Sequence, residues 1–114
     1  MVKIESGTAD NIVWIKIDGE VDASSSIQLD ESLHEHLGKD KPAIAVDCAH
    51  LSYISSAGLG VFMSYIEDLK VNGQKMVLYA MNEKVFNVFK MLGLDQLMNI
   101  FDTKDQVIEF LNEK

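Results

Sequence analysis

With 114 residues, 47% of them hydrophobic and 25% charged, the chain is long enough for one domain with one core, and its composition is that of a globular protein. A formal charge of −8 without a compact basic patch argues against nucleic acid as a ligand, and no run of ~18 apolar residues is present to span a bilayer. The single cysteine allows no internal disulfide, and the absence of a basic stretch followed by an apolar one predicts no signal peptide, hence a cytoplasmic protein.

The opening "MVKIES" alternates apolar and polar residues and predicts a short strand. "NIVWIKIDG" repeats the pattern, with Ile12, Trp14 and Lys16 on one face and Val13, Ile15 and Ile17 on the other. Gly7 to Asn11 supplies the turn of a hairpin, and Gly19 is expected to break the second strand. A first helix follows, carrying Ile27, Leu29, Leu33 and Leu37, with Asp22 or Ser24 as its cap and Gly38 at its end. "AIAVDC" is a continuous apolar run of strand length, suited to a strand covered on both faces, and Cys48 within it reads as a small buried thiol.

Leu59, Phe62, Met63, Ile66 and Leu69 then fall at helical spacing as the inward stripe of a second helix, which "VNGQK" ends. Ala57, Val61 and Tyr65 form a second apolar strip on it at i, i+4, i+8. "KMVLYAM" is another buried strand, and Asn82 caps a helix carrying Val85, Phe86, Phe89 and Leu92 that Gly93 closes. "LMNIF" gives a short last strand, and Thr103 with Gln106 matches a capping box for a terminal helix using Val107, Ile108, Phe110 and Leu111. The order β-β-α-β-α-β-α-β-α predicts an α/β layer with mostly parallel central strands, one domain over residues 1–114, without repeat or linker.

The stretch "LSYISSAGLG", Leu51 to Gly60, sets two adjacent serines between a buried strand and a helix. They could cap the helix, attack a substrate, cradle a phosphate or receive one. An esterase elbow needs Gly-x-Ser-x-Gly, and Ile54 stands where the first glycine belongs. His34, His36 and His50 all precede the serines, an order that does not suggest a triad. On a helix, His34 and His36 diverge by roughly 200° and form no ligand pair. "SAGLGVF" lacks the spacing and the lysine of a nucleotide-phosphate loop. No catalytic residue, metal or cofactor is therefore expected. Ser55 alone suffices as a cap, whereas Ser56 falls in the first turn, where a phosphate would meet unpaired N–H groups and the positive end of the helix dipole. That arrangement suits a switch better than a catalyst.

Four stretches taken together resemble the STAS-domain anti-sigma-factor antagonists: "IKIDGEVD" at Ile15–Asp22, the strand "AIAVDCAHLSYI", "SSAGLGVF" at Ser55–Phe62, and "NGQKMVLYAMNEKVFNVFKMLGLDQLMNIF". The resemblance runs over essentially the whole chain. It implies an α/β fold with a mixed four- or five-stranded sheet and about four helices packed mainly on one face. It also implies a partner-binding protein rather than an enzyme, acting on an anti-sigma factor to release a sigma factor. Where that partner is a serine kinase of the histidine-kinase-like ATPase type, it would phosphorylate Ser56 and abolish binding, and a metal-dependent serine phosphatase would restore it. Ser55 stands where the family has aspartate, and Ala57 at the neighbouring Ser/Thr position, so Ser55 is the fallback acceptor. Asp22 is implied to lie near the site on the same edge.

The expected partner surface comprises Asp22, Ser55, Ser56, Ala57, Gly58, Val61 and Tyr65, with Gly58 allowing close approach. Two other readings stand beside this one. The first is a non-phosphorylated STAS subunit of a transport or multiprotein signalling assembly, and the second is a small hydrolase using Ser56.

Overall fold

The computed structural model describes residues 2–112. Strands β1 (Val2–Ala9) and β2 (Ile12–Val21) form the hairpin. Its turn is tighter than the sequence suggested: Asp10 and Asn11 alone make it, with φ of 55° and 61°. Both residue types tolerate left-handed backbone, and two positive-φ residues match the twist of the flanking strands. Nor does Gly19 end β2. It adopts a φ of 112° that an L side chain would resist, and the strand continues to Val21 across a slip in register between the Gly19–Leu51 and Glu20–Tyr53 pairs.

The chain continues through α1 (Ser26–Glu35), β3 (Ala43–Ile54), α2 (Ser56–Asn72), β4 (Met76–Tyr79), α3 (Glu83–Met91), a 3-10 turn at Leu94–Gln96, β5 (Asn99–Phe101) and α4 (Lys104–Leu111). The five strands lie in chain order, β1 antiparallel to β2 and the others parallel. Local chemistry sets the boundaries. Asn82 accepts the Val85 amide at 2.8 Å to start α3, Thr103 and Gln106 complete the expected capping box on α4, and Gly73 at φ 67° closes α2.

The alternation in β2 divides the core as read from the sequence. Val13, Ile15 and Ile17 face the larger cluster, where Leu29 and Leu33 of α1, Leu59 and Phe62 of α2 and Val85 and Phe89 of α3 cover one side of the sheet. Ile12 and Trp14 face the smaller cluster, with Ala45, Val77, Tyr79 and Val107 of α4. Three helices thus lie on one face and one on the other. The inward stripes are narrower than predicted: Ile27, Met63 and Leu92 are 62%, 49% and 59% exposed. Cys48 is fully buried, and burial, then the Asp47 charge, pushes its thiol up to about 12, as suits an inert core residue.

Gln74, just beyond α2, ties the two loops at the N-terminal ends of the parallel strands. Its buried amide donates to the carbonyls of His36 (2.8 Å) and Pro42 (2.7 Å) and accepts from the Gly38 amide at 3.0 Å. At the opposite end of the sheet, β2 and β3 run past β4, and their last paired residues are Val21 and Ile54. The two chain segments that follow, Asp22 onward and Ser55 onward, emerge side by side.

Candidate functional site

The Ser55 amide donates to the Val21 carbonyl at 2.8 Å, continuing the ladder one residue past β3 and aiming the chain into α2. Ser55 sits in extended backbone (φ −83°, ψ 170°) and its Oγ accepts the Gly58 amide at 3.2 Å. Ser55 is therefore the N-cap, as the sequence indicated, and its carbonyl accepts the first helical amide, that of Leu59, at 3.0 Å. Ser56 comes next, at the first helical position. It is exposed, and its hydroxyl has no hydrogen-bond partner among the described residues. The first turn of α2 contains no acidic residue, so the positive end of a 17-residue helix is left uncompensated by its own sequence.

Beside it, Asp22 organises the β2–α1 loop. Its Oδ1 accepts the Ser25 amide at 2.8 Å, the Ser25 hydroxyl at 2.8 Å and the Ser24 hydroxyl at 2.9 Å, while the Asp22 amide donates to Ser25 Oγ at 2.9 Å. These bonds, the Ser25 amide first, hold the carboxyl at about 2, below its ordinary value. Asp22 thus braces the turn leading into α1, but the helix's N-cap is Ser25, without a side-chain cap bond, rather than the predicted Asp22 or Ser24, because the chain makes one further turn before the helix begins. Ser52 Oγ donates to the Gly19 carbonyl at 3.1 Å and stitches the same edge.

Not every residue expected on the partner surface lies at the surface. Ser56 and Ala57 are exposed and Val61 is half-buried. Gly58 and Tyr65 face inward. A Cβ on Gly58 would come within 2.8 Å of both Ile54 Cγ1 and Val21 Cγ1, so its close approach is to the protein's own sheet. Tyr65 is 7% exposed and its hydroxyl donates to Asp30 Oδ1 at 2.7 Å, fastening α2 to α1. A strip drawn at i, i+4, i+8 drifts round the helix, and by Tyr65 it has reached α1.

The exposed glycine of the pair is Gly60, where an added Cβ meets nothing within 4 Å. The sequence reading also missed a groove of about 240 Å³ that runs from Ser56 along Tyr53, Ile54 and Leu59 to Val88, Met91 and Leu92 of α3. Tyr53, Met91 and Leu92 are 47%, 84% and 59% exposed. One signal was available: Met91 and Leu92 are consecutive, and neighbouring helical positions point different ways, so they cannot share an inward face.

Comparison with known proteins matches residues 3–107 to the STAS domain. The chain belongs to the STAS domain family. Among curated relatives of this STAS domain, the anti-sigma-B factor antagonist of Listeria monocytogenes is 26% identical over 106 residues, which cover 93% of this chain and 92% of that protein. Among solved structures, an anti-sigma factor antagonist from Mycobacterium paratuberculosis superposes with a TM-score of 0.89 at 17% identity, over 99% of this chain and 96% of that one. The Bacillus cell fate determinant SpoIIAA, solved in its phosphorylated form, gives a TM-score of 0.72 at 19% identity, over 98% and 100% of the two chains.

The groups that might suggest other chemistry lie apart from Ser56 in this STAS domain. Cys48 is sealed in the sheet, and among the described residues no three His, Cys, Asp or Glu side chains gather as a metal site. No helix among them is long and apolar enough to cross a membrane.

Proposed function

We propose that this chain is an anti-sigma factor antagonist whose grip on its partner is switched by phosphorylation of Ser56. The observation that carries this reading is the Ser56 hydroxyl, exposed and unbonded at the uncompensated N-terminus of α2, on the rim of an apolar groove. The names of the curated relatives support the antagonist role, and the phosphorylated SpoIIAA structure supports a phosphate on this fold.

In the unphosphorylated state, Ala57, the bare backbone at Gly60, Val61 and the groove walls present a mostly apolar surface beside Asp22. A partner fitted to it buries the Ser56 hydroxyl at little cost by supplying that neutral group with one hydrogen bond of its own. A phosphate adds about −1.5 to −2 charges at pH 7. The first-turn amides of α2 can donate to it locally, so the fold survives. At the contact it introduces bulk and charge that a fitted apolar surface cannot solvate, and a loss of about 3 kcal/mol lowers affinity more than a hundredfold. The partner in this reading is an anti-sigma factor that is also a histidine-kinase-like ATPase, transferring the γ-phosphoryl of ATP to Ser56 Oγ, and a serine phosphatase reverses the step. Ser55 is the weaker acceptor, since its hydroxyl already holds the Gly58 amide.

The test is to incubate the chain with its cognate kinase and ATP, map the phosphate by mass spectrometry, and measure partner binding of Ser56→Ala and Ser56→Asp. Phosphate on Ser56, constitutive binding by Ser56→Ala and weak binding by a folded Ser56→Asp support the proposal. Equal binding of both variants overturns the switch.

A further inference from the structure

We infer that β1 is a second docking edge, one that takes up an extended, lysine- or arginine-bearing segment of a partner protein by strand addition. The site lies at the margin of the sheet, away from Ser56, and stands independently of the phosphorylation reading. Among the described residues β1 pairs only with β2, so along its 8 residues every second N–H and C=O points outward without a strand of theirs to meet it. Natural edges of this length are blunted by proline, bulges or repeated charge, or are covered. This one has no proline, and from Glu5 to Ala9 it is exposed throughout. Its only charges, Lys3 and Glu5, neutralise each other in an ion pair at 3.5 Å. The opposite edge, β5, has 3 residues and is too short to template a strand.

A groove of about 280 Å³ lies beneath the β1 edge, between Ile4 and Ser6 on the strand and Gln28, Glu31, Ser32 and Glu35 on α1. An added strand would direct alternate side chains into it. Its charged lining is Glu31 and Glu35, both exposed, and the one ion pair among the described residues is Lys3–Glu5. The groove therefore selects cations. Residues four apart on a helix rise by about 6 Å, and alternate residues of a strand by about 6.6 Å, so Glu31 and Glu35 match two cations at i and i+2 of the incoming segment. A second copy of this chain is a poor occupant. Pairing β1 with β1 would bring the Glu31 and Glu35 of two copies, each at −8, toward one another.

The experiment titrates the ¹⁵N-labelled chain at low salt with an acetylated and amidated eight-residue peptide alternating lysine and valine. Amide exchange is followed residue by residue, and an N-methylated peptide of the same charge serves as control. The expected result is slowed exchange confined to β1, with at least tenfold weaker binding both by the N-methylated peptide and by the folded Glu31→Gln, Glu35→Gln double variant. Several results overturn the inference: no binding, equal binding of the N-methylated peptide, unchanged affinity in the double variant, or protection mapped away from β1. Self-association through β1 without peptide overturns the heterologous occupant.

Discussion

Asp22 and Ser25 hold each other reciprocally: the Ser25 amide donates to Asp22 Oδ1 at 2.8 Å, and the Asp22 amide donates to Ser25 Oγ at 2.9 Å. Two backbone donors at the entry to α1 are thereby satisfied by side chains three residues apart. The Asp22 carboxylate is thus already committed to its own loop.

A pH dependence follows with a definite sign. The folded Asp22 carboxyl titrates at about 2 against an ordinary 3.8. A depressed carboxyl contributes stability that is present above the unfolded value and is lost as pH falls through the folded one. Urea-unfolding midpoints should therefore fall more steeply in the wild type than in Asp22→Asn as pH drops from about 3.8 to about 2. Parallel curves would show that the loop does not depend on the ionised group.

Gln74 gives a prediction about stability alone. Its amide makes three hydrogen bonds, to His36, Gly38 and Pro42, and Gln74→Leu would leave those backbone groups without partners. Each such loss costs about 1 kcal/mol or more, so a decrease of about 3 kcal/mol in urea unfolding is expected. Partner binding by the folded fraction should not change, because Gln74 lies at the far end of the sheet from Ser56.

Gly58 and Gly60 should respond oppositely to the same substitution. Gly58→Ala forces a methyl to within 2.8 Å of Ile54 and Val21 and should cost about 1–3 kcal/mol. Gly60→Ala enters open space and should stabilise the helix by up to about 1 kcal/mol, while weakening partner binding by adding bulk beside Ser56. Thermal unfolding of the two variants, with a binding measurement on Gly60→Ala, separates the core glycine from the surface one.

The groove yields a binding prediction. Tyr53→Ala and Met91→Ala remove exposed apolar walls and should leave folding stability within about 0.5 kcal/mol. Each should weaken binding of the anti-sigma factor by more than about 1 kcal/mol, as should Val61→Glu, which places a charge on the half-buried face of α2 that Val61 shares with Ala57. Isothermal titration with the cognate partner measures this. Wild-type affinity in all three variants would move the interface off α2 and α3.

Much of this was legible in the sequence because it is local. Alternation in "NIVWIKIDG" separated Ile15 from Trp14, which the sheet places in different clusters. Ser55, Asn82 and the Thr103–Gln106 pair act within one turn of their own helices, so their spacing alone identified them as caps. The position of Ser56, one residue past a cap at the end of a buried strand, followed from the same local logic.

What the sequence left undecided depends on neighbours distant along the chain. Hydrophobic period says which residues can face inward but not what stands opposite them. Tyr65 turned inward because α1 offers Asp30, and Met91 stayed outward because α3 ends beside Tyr53 and Ser56 without a further layer to cover it. Gly58 is needed where Val21 and Ile54 converge, residues 37 and 4 positions away in the chain. The strand order leaves β1 unpaired on one side, and no residue within β1 encodes that. Local chemistry fixed the elements and the serine; packing across the sheet decided which surfaces remain for a partner.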